Sequence, residues 1–405
     1  MEFKKVKLGE CVDYILDYRG KTPKKSKTGI PTLSAKSVKN NFIDYDEVYY
    51  ISRDEYNRFM SKGFPRIGDI LMTMEAPLGL VATLDRDDVG LGQRIVTIRG
   101  KKDFLDNNYL KFYLQSPKGQ HELYSRATGT TVVGISQKNL KNIDIVIPSL
   151  ENQIRIGRIL NNYNIKIEIN NKIISNLESQ AQAIFKSWFV DFEPFQDGDF
   201  VESELGMIPE GWEVKELGEL FKFVKGKKPK DLREKYEDNF IPYIVKGVMD
   251  GSETPKFTNE INIVKIKKLD CFMLMDGANS GNIYYGYDGA LGSTFGLIEA
   301  KNQIYRELIY WKLKTNESII KNQNTGSAIP HANKDFISKM NVAIPINIEE
   351  NEILKTLENF RIKINSLNNQ NTKLAELRDA LLPKLMAGEI DVSNIKIEGE
   401  EVKNE

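Results

Sequence analysis

Two stretches of this chain space their apolar side chains at alternating steps of three and four residues, in the same phase. The first runs through Ile156, Leu160, Tyr163, Ile167, Asn170, Ile174, Leu177, Ala181, Ile184 and Trp188. The second runs through Leu357, Phe360, Ile364, Leu367, Asn371, Leu374, Arg378, Leu381 and Leu385. That spacing is an a/d heptad register and predicts two long helices, placed at 150–190 and 348–387. About 30 residues of seam in each, at about 1.5 Å per residue, give rods of about 45 Å. Two such helices in one chain are expected to pair antiparallel as a coiled coil, with Asn170 and Asn371 fixing the register from inside the seam.

Ahead of each rod the pattern changes. Gly68-Asp-Ile-Leu-Met-Thr-Met74 and Ile143-Asp-Ile-Val-Ile-Pro148 are short apolar runs bounded by Gly, Asp and Pro, and they read as strands. Asn108 to Gln115 keeps helical spacing and is expected to pack on them. Residues 1–149 therefore read as one mixed α/β recognition domain and 212–347 as a second, an α+β chain overall. The acidic, turn-rich segment 191–211 reads as a surface linker, and 388–405 as an acidic, mobile tail.

The chain is an internal repeat. A shift of 197 residues lays Thr128-Gly129-Thr130 on Thr325-Gly326-Ser327, Ile147-Pro148 on Ile344-Pro345, and Leu177 on Leu374. Leu8-Gly9-Glu10 is echoed by Leu217-Gly218-Glu219, Gly20-Lys-Thr-Pro23 by Gly226-Lys-Lys-Pro229, and Leu91-Gly92 by Leu291-Gly292. The offset drifts from 197 to 211 between these landmarks, so the loops differ in length while the strand edges agree. Two similar readers on two similar rods suit a polymer carrying two short recognition elements, and double-stranded DNA is the leading partner.

Charge refines this expectation. The chain is neutral overall, with 57 basic and 57 acidic residues, which argues against a uniformly basic surface. Yet Arg19, Lys21, Lys24, Lys25 and Lys27 form an acid-free run, and so do Lys222, Lys225, Lys227, Lys228 and Lys230. Local basic loops attract phosphates when the compensating acids lie elsewhere. Around the Thr-Gly loops, Arg126, Thr130, Thr131, Ser136, Gln137 and Lys138 in the first copy pair with Thr325, Ser327, His331, Asn333 and Lys334 in the second. Small hydroxyls and glycine let backbone amides approach phosphates, while Gln137, Asn139, Asn333 and Arg94 carry donors suited to base edges. Read singly, each loop is as consistent with an ordinary solvated turn.

Catalytic signatures are missing. Gly20-Lys21-Thr22 has Ile15 where a phosphate-binding loop needs glycine, and Gly90-Leu-Gly92 has Ile95 where a dinucleotide fingerprint needs its third. There is no Asn/Asp-Pro-Pro-Tyr/Phe tetrapeptide for methyl transfer and no hydrolase nucleophile motif. With two cysteines far apart and two histidines, a zinc site is not expected, and no metal is assigned. No apolar run reaches the roughly 20 residues a membrane helix needs, and the first residues lack a signal-peptide core, so a cytoplasmic location is expected.

Three stretches carry a resemblance: Ile147-Pro-Ser-Leu-Glu-Asn-Gln153, Ala181-Gln-Ala-Ile-Phe-Lys-Ser-Trp-Phe-Val-Asp-Phe192, and Leu374-Ala-Glu-Leu-Arg-Asp-Ala-Leu-Leu-Pro-Lys-Leu-Met-Ala-Gly388. Through them the chain resembles the specificity (S) subunits of type I restriction–modification systems over nearly its whole length. That resemblance implies two target recognition domains, each reading half of a split DNA sequence, held apart by an antiparallel coiled coil. It also implies docking of two methyltransferase (M) subunits that use S-adenosylmethionine, and of restriction (R) subunits that use ATP and Mg. No cofactor is expected on this chain itself. The alternatives are a coiled-coil scaffold joining two protein-binding domains and a stand-alone DNA-modifying enzyme.

Overall fold

The computed structural model describes residues 2–20, 22–326, 329–348 and 352–395. It divides into two units, Met1–Ile169 with Asn371–Glu405, and Asn170–Gln370.

In the first unit the strand Ile70–Met74 is buried at every position. Alternation explains how: Ile70, Met72 and Met74 enter one core cluster and Leu71 enters another on the opposite face. Its four-stranded antiparallel sheet runs Val12–Asp17, Ile95–Gly100, Ile70–Met74, Leu78–Thr83. One face is covered by the helices Asn107–Gln115 and Pro117–Tyr124. The other meets a smaller sheet in which Ile30–Leu33 pairs parallel with Gly90–Leu91.

The second unit repeats the larger sheet strand for strand and keeps the parallel pair of the smaller one. Phe221–Lys225, Phe295–Ala300, Cys271–Leu274 and Ile283–Tyr284 make the larger sheet, and Ile241–Ile244 pairs parallel with Gly289–Leu291 in the smaller one. Cys271 and Met273 face one cluster while Phe272 and Leu274 face the other. Both units close with an antiparallel strand pair that brings chain segments together at the foot of a long helix. These are Lys4–Lys7 with Asp144–Ile147, and Trp212–Glu216 with Asn341–Pro345.

The long helices span Leu150–Phe189 and Glu352–Ala387. Each unit holds one half of each helix, and within each the halves run antiparallel. In the first unit Ile156 and Leu160 share a core with Leu382 and Leu385, and Arg378 donates to Asn164 at 2.7 Å. In the second, Ala181 and Phe185 share a core with Leu354 and Leu357, and Asn170 donates to Gln370 at 2.8 Å. Along the seam Leu160, Asn170, Leu357, Ile364 and Leu367 are buried, while Tyr163, Ile167, Ile174, Leu177, Ile184, Phe360, Asn371, Leu374 and Leu381 are half-buried.

Gln153 shows why the Leu-Glu-Asn-Gln stretch starts the first helix. Its buried amide accepts from the Asp106 amide and donates to the Phe104 and Pro148 carbonyls, joining helix to domain.

Two expectations are corrected. Segment 191–211 is not a bare surface linker: it carries the hairpin Phe200–Ser203 with Gly206–Pro209, and Phe192 and Ile208 are buried around Trp212. Aromatic burial outweighs its acidic, turn-rich composition. The tail after Ala387 is held as far as the structure describes it. Val392 is fully buried and the Ser393 carbonyl accepts from Arg155. Residues 396–405 lie outside the described residues.

Candidate nucleic-acid interface

Both units build the same loop frame at one end of the larger sheet. In the first, the Ile135 amide donates to the Met74 carbonyl at 3.0 Å, and the Met74 amide donates to the Arg94 carbonyl at 2.8 Å. Thr128 and Gly134 exchange backbone bonds at 2.8 and 3.0 Å, closing the Thr-Gly loop. Gly129 has φ +103°, and a Cβ there would lie 2.1 Å from the Val132 carbonyl oxygen, so the turn requires glycine.

The second unit has the same bonds, from Ala332 to Met275 at 2.9 Å, from Met275 to Thr294 at 2.8 Å, and reciprocally between Thr325 and His331. Gly326, at φ +90°, takes the place of Gly129.

The predicted residues divide by what they touch. Thr130 and Thr131 are exposed at the loop tip, and Lys138 is exposed on the next helix. Ser136 and Asn333 cap that helix in the two copies, accepting from the Asn139 and Phe336 amides at 3.1 Å each. Gln137 donates to the Ile15 carbonyl at 3.3 Å.

Arg19 and Arg126 are engaged by their own domain. Arg19 chelates Asp17 and donates to the Ile135 carbonyl at 3.1 Å. Burial works to raise the Asp17 carboxyl, but the Arg19 guanidinium outweighs it and holds Asp17 below its ordinary range. Arg126 bridges Glu122 at 2.5 Å and Asp144 at 3.5 Å. These two guanidiniums are largely spent on fixing the loops.

Lys24, Lys25 and Lys27 are exposed, and Lys25 sits 4.8 Å above the Tyr49 ring. Lys225, Lys227, Lys228 and Lys230 are exposed around the second Gly-Lys-Lys-Pro loop. Gly226 is needed there because a Cβ would lie 2.1 Å from the Gly292 carbonyl oxygen. Lys21 and Ser327 lie outside the described residues.

Two concavities collect the remaining candidates. In the first unit Lys25 and Arg94 line a recess of about 470 Å³ with Thr22, Lys36, Tyr49 and Gln93, and Gln93 donates to Thr22 at 2.6 Å. In the second, Lys225, His331 and Lys334 gather around Asp276 and Phe223 in a recess of about 110 Å³. Arg94 bridges Glu75 at 3.1 Å, and His331 Nδ1 lies 2.7 Å from Asp276.

Sequence reasoning missed Glu75, Asp276, Gln93, Ser293 and Thr294. The repeat held the signal: Met74-Glu75 recurs as Met275-Asp276, and the pairs after Leu-Gly are Gln93-Arg94 and Ser293-Thr294.

A family model described as the type I restriction modification DNA specificity domain matches residues 1–179 and 209–377. The type I restriction enzyme MjaIX specificity subunit of Methanocaldococcus jannaschii is 28% identical over 391 residues, covering 90% of this chain and 88% of that one. The MjaVIII specificity subunit of the same organism is 33% identical over 195 residues, covering 47% of this chain and 45% of that relative. The chain thus aligns with less than half the length of the second of these relatives. In fold, it is similar to the crystal structure of a type I restriction–modification S subunit from M. genitalium, with TM-score 0.60 and 19% identity, covering 95% of this chain and 96% of that one.

Proposed function

Because the chain belongs to the type I restriction modification DNA specificity family, we propose that it reads a bipartite double-stranded DNA target, one half-site per domain. It is a recognition subunit and not itself a catalyst. The observation that carries this reading is the repeated loop frame: one backbone scaffold, built twice, presents exposed cations and diverged side chains at the same sheet end. Phosphates are met by the exposed lysines of the two Gly-Lys-X-Pro loops, which give affinity without sequence preference.

The paired helices dock two methyltransferase subunits, and restriction subunits join the same complex. S-adenosylmethionine, ATP and Mg belong to those partners. No helix among the described residues is long and apolar enough to cross a membrane. The complex works in the cytoplasm.

The test combines purified chain, its M partner and S-adenosylmethionine on genomic DNA. Adenine methylation at a split sequence is expected, with none from the chain alone. Methyl transfer by the isolated chain, or methylation by the complex without a split consensus, would overturn the reading.

A further inference from the structure

The two loop frames hold different side chains at one equivalent turn. Gly92 donates to the Leu33 carbonyl at 2.8 Å and Gly292 to the Ile244 carbonyl at 2.9 Å, so the backbone is fixed alike. The next two residues are Gln93-Arg94 in one copy and Ser293-Thr294 in the other. The carboxylate that follows the central strand is kept, as Glu75 and as Asp276, but the side chain resting on it changes origin. In the first domain it is Arg94, from this turn; in the second it is His331, from the Thr-Gly loop.

Both side chains are about half exposed, at 51% and 50%. Exposed ion pairs and polar contacts contribute little to stability, so holding the fold is a poor reason for either. Arg94 also adopts φ +66°, a conformation disfavoured for a side chain of its size. A phosphate contact needs only a positive charge, which an adjacent acid would weaken. A base contact needs direction, and a carboxylate that grips one edge of a side chain aims its remaining atoms.

We propose that Arg94 propped by Glu75 and His331 propped by Asp276 are the base-reading side chains of the two domains, with Gln93 and Ser293 beside the read position. This rests on the DNA-reading function proposed above. The free donors of Arg94 fit the O6 and N7 acceptors of guanine. In the tautomer that places the ring hydrogen on Nδ1, towards Asp276, His331 offers Nε2 as an acceptor, which fits the amino group of adenine or cytosine. Glu75 and Asp276 are positioning residues.

The test is a methylation map of the complex of chain and M partner, with the parent and four variants. Arg94→Asn removes the guanidinium with a residue that tolerates positive φ. It is expected to cut the preference for guanine at one position of one half-site by roughly 5- to 140-fold, leaving the other half-site and the gap unchanged. His331→Asn is expected to relax one position of the other half-site. Glu75→Gln and Asp276→Asn keep both readers and are expected to relax the same two positions by less, a pattern that misfolding would not produce.

Competition between duplexes differing at the read position gives the fold-change. Maps identical to the parent, or equal relaxation of both half-sites by Arg94→Asn, would overturn the proposal alone. A parent complex that methylates no split site would overturn the underlying reading, and the proposal with it.

Discussion

The Arg361 guanidinium, fully buried on the second long helix, lies 2.8 Å from the Glu307 carboxylate of the second recognition domain. The rings of Tyr285 and Tyr310 lie 4.4 and 4.1 Å from it, and it also donates to the Leu269 carbonyl at 2.7 Å. Burial pushes the Glu307 carboxyl above its ordinary range, even with Arg361 and Arg306 beside it. The domain is thus joined to its helix by a desolvated ion pair, which is a better device for a unique seating than for net stability.

Removing one partner of this pair strands the other. Glu307→Ala is expected to destabilise the chain by about 3–5 kcal/mol, because Arg361 stays buried without its counter-ion. The double change Glu307→Leu with Arg361→Met is expected to cost less than that single change. Urea denaturation of the single and double variants measures both, and a double variant less stable than Glu307→Ala would show that the pair is a net source of stability.

Lys111 makes a pH prediction for the first domain. Burial lowers its pKa to about 8, helped by the Arg378 charge and opposed by Asp106, while its Nζ donates to Asn161 at 3.0 Å. The unfolded chain then holds more protons than the folded one between about pH 8 and the ordinary lysine value, so stability rises with pH in that window. Below pH 8 the full penalty stands, about 3 kcal/mol at about 1.4 kcal/mol per unit. Lys111→Met is therefore expected to be more stable than the parent at pH 7, by an amount that shrinks towards pH 10. Taking the difference between the two proteins cancels the tyrosine and cysteine titrations. A stability difference constant from pH 7 to 10 would show that Lys111 is not desolvated.

Replacing Lys227, Lys228 and Lys230 with Ala is expected to weaken binding to every duplex alike. The slope of log affinity against log salt should flatten by about 0.9 for each phosphate no longer neutralised. Binding titrations on cognate and unrelated duplexes between low and moderate salt check this. An unchanged slope would place these lysines away from the DNA backbone.

How much of this was legible follows from the range of the interactions. The long helices were readable because a seam such as Leu160, Ile167 and Ile174 repeats within one helix, and local periodicity survives in sequence. The strand Ile70–Met74 was readable because burial on both faces leaves an apolar run. Glu75 with Arg94 and Asp276 with His331 were not, since partners 19 and 55 residues apart meet only once the sheets are assembled. Arg19 and Arg126 looked like free cations for the same reason, their acids being supplied by the fold. The segment after Phe189 misled by composition, because its few aromatic residues, and not its many acids, decide where it lies.

The bond from Asn170 to Gln370 decides where a length change in the helices must be made. In an antiparallel pair, the break after Asn170 faces the break after Asn369, so seven residues inserted at each keep every flanking pair in register. Whole heptads also preserve which face meets the partner. Each rod lengthens by about 10.5 Å at about 1.5 Å per residue, close to three base pairs at about 3.4 Å each. Three base pairs also rotate the second half-site by roughly 100° at about 10.5 base pairs per turn, a mismatch that flexing of the helices or twisting of the DNA must absorb. The double insertion is therefore expected to methylate unchanged half-sequences separated by a gap two or three base pairs longer, more slowly than the parent. Four residues added to one helix alone introduce a stutter and are expected to disturb the pairing. A methylation map that keeps the original gap would show that the helices do not set the spacing.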